Sequence, residues 1–244
     1  MKGYRLTFIR HGATQGNADG QYIGITDLPL SEAGAAELYE KAEAAGFPSF
    51  QKVYISPLKR CLQTAYIMAP NCPMVEIGEL AEMDFGDFEG KTPEELKNDP
   101  AYAEFLKGGL DNAPPNGESA RQVVTRCFRA ITIMIEDMMK NNIKNAAVVT
   151  HAGIIMNMLT CFALPKQAPG AYRCGFGEGF EVLVTAQLWQ RSGAFELIGS
   201  FPAVYEDGRS EYFADLEDDD HDDDDDDDEY CGDYSYDDHN EDDG

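Results

Sequence analysis

Basic residues are scarce in this chain. The 244 residues contain 19 lysines and arginines against 45 aspartates and glutamates. Residues 206–244 hold 22 of those acids and one base, a net charge of −21, which leaves −5 for residues 1–205. No basic stripe is available to neutralise nucleic-acid phosphates. A nucleic-acid-binding surface is therefore not expected, and residues 1–205 have the charge of an ordinary, mildly acidic globular domain.

Long apolar runs and paired cysteine spacings are also missing. No run is long enough to cross a bilayer as a helix. The six cysteines show no Cys-x-x-Cys spacing, and most lie in apolar runs, where a free thiol behaves as a small buried hydrophobe. A strand-like run begins at Tyr4, which leaves no room for a signal peptide. We therefore expect a cytosolic protein in a reducing compartment, without a membrane and without a metal site.

Histidine is rare, and the two histidines outside the acidic C-terminal stretch occupy matching positions. His11 follows an apolar, β-branched run over Tyr4–Ile9, and His151 follows another over Ala146–Val149. Each is followed within two residues by glycine. Such runs predict strands, and the ligands of α/β folds bind where strands end. Arg10 would place a cation beside the His11 imidazole there, although an Arg-His pair at a strand end is also compatible with plain surface charge.

A second candidate cation lies at the start of a predicted helix. Val53–Ile55 has the pattern of a short buried strand, and the following Ser56 and Pro57 are expected to cap and open a helix. Arg60 then falls in the first turn, where a helix N-terminus already favours anions. A phosphate site is the favoured interpretation, and a solvated arginine on a helix face is the alternative.

Three motifs together resemble the histidine phosphatase superfamily, also called the phosphoglycerate mutase-like fold. They are Arg10-His11-Gly12, Ser56-Pro57-Leu58-Lys59-Arg60 and Thr150-His151-Ala152-Gly153, in the family's order. The resemblance covers about residues 4 to 201. It implies an α/β protein, a three-layer α/β/α sandwich with a mostly parallel central sheet. It also implies that His11 is the nucleophile and that Arg10, Arg60 and His151 form the phosphate pocket.

Two further site residues come from the resemblance alone. The segment from Leu80 to Gly90 matches the family pattern Leu-x-Glu-x-x-x-Gly-x-(Trp/Phe)-Glu-Gly, which places Glu82 on the general acid/base position. The other acids of this loop are interpreted as surface charge or loop hydrogen bonding. Asn17 matches a family asparagine that helps to hold the phosphate, and a turn-forming asparagine is an equal alternative from the residues themselves.

The rest of the chain predicts the elements around these residues. Ser31 is expected to cap a helix that runs to about Ala45 and stops at Gly46. Residues 74–80 predict a strand. Residues 84–117, with short helices within 93–107, are expected to form a lid-like insertion that covers the site and shapes substrate choice.

The C-terminal half yields three more predictions. Residues 118–140 predict a long amphipathic helix, and residues 180–184 and 195–198 predict a hairpin at the sheet edge. We expect a single domain over residues 1–205. Residues 206–244 are too acidic to bury an apolar surface and are expected to be disordered. This tail is interpreted as solubilising or, alternatively, as a docking segment for a partner.

The resemblance implies a metal-independent phosphomonoesterase that works through phosphohistidine, without a cofactor, on a small phosphorylated metabolite. The segment around Glu82 looks most like the α-ribazole phosphatase branch, and broad-specificity phosphatases share much of it, so α-ribazole 5′-phosphate is the first candidate substrate. A cofactor-dependent phosphoglycerate mutase is the alternative, although its Asn-Glu-Arg-His-Tyr-Gly-type segment is missing here. A catalytically silent phosphate-binding or scaffold protein is the third possibility. The oligomeric state stays open.

Overall fold

A computed structural model of the chain describes residues 3–45 and 47–202. Within these residues, seven strands and eight α-helices form. The strands are β1 (Gly3–Arg10), β2 (Lys52–Ile55), β3 (Met74–Glu76), β4 (Asn145–Thr150), β5 (Ala163–Leu164), β6 (Gly179–Thr185) and β7 (Phe195–Phe201). The helices are α1 (Gln15–Ala18), α2 (Glu32–Ala45), α3 (Lys59–Met68), α4 (Pro93–Leu96), α5 (Pro100–Phe105), α6 (Ala120–Lys140), α7 (Ala152–Phe162) and α8 (Ala186–Ser192).

The strands form one mixed sheet in the order β3-β2-β4-β1-β6-β7-β5. Only β6 runs against its neighbours among these seven strands, so the sheet is mostly parallel, as expected. The parallel strands β2, β4 and β1 are adjacent and end nearly in register. Ser56, His151 and His11 follow these strands directly, so they meet where the carboxyl ends of the three strands lie side by side.

Helices cover both faces of the sheet. Leu6 and Phe8 of β1 pack with α6 and α7 in one core, while Ile9 of the same strand packs with α3 in another. This alternation follows from the period of two along a strand, which points successive side chains to opposite faces. The three-layer α/β/α sandwich expected from the resemblance is thus confirmed.

The long helix α6 forms as its sequence predicts. Ser119 accepts a hydrogen bond from the N–H of Gln122 and completes a capping box, and Asn141 follows the last turn. The buried side chains recur every three or four residues and make one apolar stripe: Val123, Cys127, Ala130, Ile131, Met134, Ile135 and Met138. The prediction for Ser31 is also confirmed, because its hydroxyl accepts the Gly34 N–H at 3.0 Å at the start of α2.

Two predicted elements near the site are wrong in detail. The strand expected over residues 74–80 ends at Glu76, because its partner β2 ends at Ile55 and offers nothing further to pair with; residues 78–80 form a 3-10 turn instead. Ser56 does not cap α3, which begins at Lys59. The Asp27 carboxylate accepts the Lys59 N–H at 2.7 Å and takes over that role.

The predicted edge hairpin is confirmed in its antiparallel pairing, but its connection and its place in the sheet are wrong. Strands β6 and β7 do pair antiparallel, but α8 connects them instead of a tight turn. Thr185 caps that helix, and Gly193 ends it with a left-handed backbone at φ 57°. The sheet edge is formed by the two-residue β5, which pairs with β7.

The segment 84–117 carries the two short helices that the sequence predicts, α4 and α5. Phe88, Leu96 and Tyr102 form a small core of their own there, against which Tyr22 and Phe85 pack. Its control over substrate choice stays a prediction. Gly46 and the acidic tail from residue 206 lie outside the described residues. No helix in the described chain is both long and apolar enough to cross a membrane.

Candidate active site

His11 is held in one tautomer at the end of β1. The side chain is 5% exposed, and its Nδ1 lies 2.6 Å from the Gly12 carbonyl oxygen. Because a carbonyl only accepts, Nδ1 must carry the proton, which leaves the lone pair on Nε2. Burial, together with the charges of Arg60 and Arg10, lowers the pKa of His11 to about 3. At neutral pH this imidazole is uncharged and has a free basic nitrogen.

His151 faces His11 at the end of the neighbouring strand β4. The two ring centres are 5.0 Å apart, and His151 is fully buried, which lowers its pKa well below the usual value. Its Nδ1 accepts from Arg60 Nε at 3.3 Å, so Nε2 carries the proton and donates to the Ser56 hydroxyl at 2.8 Å. Both nitrogens therefore have protein partners, and the expected donation from His151 to a phosphate would exchange one of them.

Arg60 is completely buried in the first turn of α3, and each nitrogen of its guanidinium donates a hydrogen bond within the protein. Besides His151, it donates from Nη1 to the Thr26 carbonyl at 2.8 Å and from Nη2 to the Gly24 carbonyl at 2.6 Å. A guanidinium has five N–H donors. One hydrogen on each terminal nitrogen is thus left for an anionic ligand.

The loop that holds Arg60 is itself organised by Glu89. This carboxylate accepts the backbone N–H groups of Gly24 at 3.1 Å, Ile25 at 3.1 Å and Thr26 at 3.3 Å, and also bonds the Thr26 hydroxyl. Of the two roles expected for the other acids of its loop, surface charge or loop hydrogen bonding, Glu89 has the second. Glu89 thereby aims two carbonyl groups at the Arg60 guanidinium.

Arg10 supplies the second cation beside His11. Its Nη1 donates to the Cys174 carbonyl at 2.9 Å, and its guanidinium carbon lies 3.9 Å from the centre of the Phe176 ring. Its Nε is buried and has no hydrogen-bond partner among the described residues. An unmet buried donor costs roughly 1–3 kcal/mol. This orphaned N–H fits an anion that completes the site.

Glu82 is the one buried carboxylate of the site in the described chain. Its Oε1 accepts the Met83 N–H at 2.9 Å, and its Oε2 accepts the N–H of Gly153, near the start of α7, at 3.2 Å. Burial raises the pKa of Glu82, which favours its protonated form. A side chain on Gly153 would begin 2.6 Å from Oε1, so only glycine leaves room for this carboxylate.

The structure brings five of the six predicted site residues together, and the sixth, Asn17, makes its side-chain hydrogen bonds to Thr14 within its own turn. Asn17 accepts the Thr14 N–H at 3.1 Å and completes the capping box of α1. Its amide nitrogen makes no hydrogen bond within the described part of the chain. A contact between Asn17 and phosphate stays a prediction.

Sequence reasoning missed several residues that support the site. Ser56 bonds His151, and the Thr64 hydroxyl accepts the Gly12 N–H at 3.0 Å. Arg126 of α6 donates to the Glu79 and Ala81 carbonyl groups, which precede Glu82, and pairs with Glu118. Apart from the Arg126–Glu118 pair, these contacts join residues 45 to 95 positions apart, and no local pattern predicts them.

The chain matches known proteins of one family. The model of the histidine phosphatase superfamily, branch 1, matches residues 6–178. The adenosylcobalamin/alpha-ribazole phosphatase of Escherichia coli is 31% identical over 178 residues, which cover 71% of this chain and 86% of that protein.

Solved structures give the same result for the fold. The alpha-ribazole phosphatase of Shigella flexneri superposes with a TM-score of 0.66 and 26% identity, over 80% of this chain and 95% of that one. The phosphoglycerate mutase of Bacillus anthracis has a TM-score of 0.68 over 81% of this chain and 92% of that one. At 20% identity it shows the shared fold alone.

Proposed function

Since the chain belongs to the histidine phosphatase superfamily, branch 1, we propose that it hydrolyses small phosphate monoesters through a phosphohistidine intermediate on His11. The observation that carries this proposal is the state of His11: buried, uncharged, and fixed by Gly12 so that Nε2 holds a free lone pair between two arginines. A nucleophile in that state needs no separate base to activate it.

The first step forms the bond between His11 Nε2 and phosphorus as the ester P–O bond breaks. The charge on the phosphoryl oxygens is balanced by the free donors of Arg10 and Arg60. The leaving alkoxide needs a proton. Glu82 is in our proposal the donor, because burial raises its pKa and keeps its carboxyl protonated to a higher pH than usual.

The second step reverses these roles. Glu82, now ionised, takes a proton from water as the water oxygen attacks phosphorus, and the N–P bond to His11 breaks. Inorganic phosphate leaves, and both residues return to their starting states. Every proton is passed within this cycle, so the proposed reaction needs no metal and no redox cofactor.

The charge of the site supports a monophosphate whose alcohol part is uncharged. The cations that act most strongly on His11, His151 and Glu82 are Arg10, Arg60 and Arg126. Arg126 is already paired with Glu118 at 2.7 Å. The two remaining charges match the roughly two negative charges of one phosphate monoester. α-Ribazole 5′-phosphate has this charge, and we propose it as the first substrate to test.

The same charge balance disfavours the mutase alternative. A phosphoglycerate has a carboxylate besides its phosphate, and neither Arg10 nor Arg60 is left over to bind it. The mutase remains the second candidate because the fold is shared with phosphoglycerate mutase. The cytosolic location and a binding partner for the acidic tail stay predictions, and the oligomeric state stays open.

The test is phosphate release with EDTA present. The substrates are an aryl phosphate, α-ribazole 5′-phosphate, phosphoserine, and 3-phosphoglycerate with and without 2,3-bisphosphoglycerate. The full-length His11→Ala variant is the blank. Release that depends on His11 supports the hydrolase, whereas bisphosphate-dependent isomerisation with little release supports the mutase. No turnover of any substrate supports the silent phosphate-binding protein.

A further inference from the structure

The ion pair between Arg126 and Glu118 lies directly behind the segment that carries Glu82. Arg126 donates from Nε to one Glu118 oxygen at 2.7 Å and from Nη2 to the other at 2.9 Å. The two side chains are 15% and 19% exposed. This bidentate geometry fixes the guanidinium plane, since both groups are planar and two parallel bonds join them.

The third nitrogen of that guanidinium, Nη1, donates to backbone carbonyl groups next to Glu82. Arg126 Nη1 donates to the carbonyl of Ala81 at 2.6 Å and to the carbonyl of Glu79 at 2.8 Å. The Ala81 carbonyl belongs to the peptide bond that leads into Glu82. The Arg126 guanidinium, which Glu118 fixes, thus holds the Glu79 and Ala81 carbonyl groups in place.

The far side of the segment rests on other contacts, made by the Thr150 hydroxyl to the Leu80 carbonyl at 2.8 Å and by Gly153 to Glu82 itself. None of these contacts is made by Arg10 or Arg60. Arg60 is held by the loop that Glu89 organises, on different elements. Glu82 and Arg60 are therefore held in place by different parts of the chain.

We propose that Arg126 and Glu118 are positioning residues for Glu82: their ion pair fixes the backbone from Glu79 to Ala81 and so aims the carboxyl at the leaving oxygen. Neither residue touches the substrate. The inference rests on the proposed function, because it assumes that Glu82 supplies the leaving-group proton. It goes further by predicting that proton transfer can be impaired while phosphate binding is preserved.

The test compares Arg126→Gln and Glu118→Gln with Asp137→Asn in the full-length protein. Asp137 accepts from Lys52 at 2.6 Å and from the Tyr54 hydroxyl at 2.7 Å. It lies three turns further along the same helix, about 16 Å from Arg126 along the axis. The control therefore removes a comparable ion pair from α6. Glu118→Gln keeps an acceptor for Arg126 and serves if Arg126→Gln does not fold.

Two substrates separate positioning from general damage. The leaving group of an alkyl phosphate is a strongly basic alkoxide, which needs a proton from Glu82. The leaving group of a dinitrophenyl phosphate is a stabilised phenolate, which does not. We expect Arg126→Gln to lower kcat for the alkyl phosphate at least about tenfold, since general acid catalysis contributes about 10²–10⁴-fold. The initial burst of dinitrophenolate and the inhibition constant of inorganic phosphate should stay within about twofold of wild type, and Glu118→Gln should show the same pattern more weakly.

Equal losses on both substrates, or a similar loss in Asp137→Asn, would overturn the positioning role while leaving the proposed function intact. Full alkyl-phosphate turnover in both variants would do the same. A wild-type protein without His11-dependent release from either substrate would instead remove the proposed function, and this inference with it.

Discussion

Gly153→Ala adds one methyl group at the point where α7 meets the Glu82 carboxyl, the proton donor in our proposal. The new Cβ would begin 2.6 Å from Glu82 Oε1, whereas ordinary contacts begin at 3.4 Å, so the carboxyl has to move by about 0.8 Å. A misplacement of about 1 Å costs on the order of 10²-fold in rate. We therefore expect kcat for an alkyl phosphate to fall about 10- to 100-fold, or about 1.4–2.7 kcal/mol in activation free energy.

The stability and phosphate affinity of this variant should not fall with its rate. Alanine is favoured over glycine in helices by up to about 1 kcal/mol, which offsets the local displacement, and Arg10 and Arg60 are untouched. The assay is kcat, the inhibition constant of inorganic phosphate, and the Tm. Gly78→Ala is the matched control, because a methyl group at Gly78, four residues before Glu82, would meet no atom within 4 Å. An unchanged kcat in Gly153→Ala would refute the assignment of Glu82 as the proton donor.

Three other predictions follow from the same geometry. Arg60→Lys keeps the charge but cannot hold three partners and a phosphate together, so kcat/KM should fall about 10²–10³-fold; a loss below about threefold would contradict the pocket. Glu82 loses its proton as pH rises through its raised pKa, so kcat/KM should fall there. His11 has a pKa of about 3 and should not affect kcat/KM above about pH 4. A fall of kcat/KM at high pH that persists in Glu82→Gln would contradict this assignment. Glu89→Gln should weaken inhibition by inorganic phosphate severalfold, because it loosens the loop that holds Arg60, while the rate of the dinitrophenolate burst at saturation changes less; unaltered phosphate inhibition would exclude that support.

The parts of the site that lie on strand ends could be predicted from the sequence. His11 and His151 each follow an apolar, β-branched run, and adjacent parallel strands bring such ends together. Glu82 has no comparable signal, because it sits in a loop with several other acids. Only the family resemblance selected it, and its burial explains why that one carboxylate differs from its neighbours.

The errors have a common physical cause, which is contact between distant parts of the chain. Ser56 has the local pattern of a helix cap, but its hydroxyl is engaged by His151, 95 residues away, and Asp27 serves the helix instead. The helix between β6 and β7 has a local cap in Thr185, but its Trp189 packs on Phe128 and Phe162, which are 61 and 27 residues away. The distant contacts of Ser56 and Trp189 are not visible in a window of neighbouring residues.

The most direct test of the account is to trap the covalent intermediate. The full-length protein is mixed with a dinitrophenyl phosphate, quenched in alkali within the first turnover, and mapped by mass spectrometry for a phosphoryl group that is stable in alkali and labile in acid. We predict this modification on His11, its absence in His11→Ala, and its accumulation in Glu82→Gln, where water attack is slowed. Phosphate release without any such intermediate, a phosphoryl group on His151, or turnover by His11→Ala would contradict it.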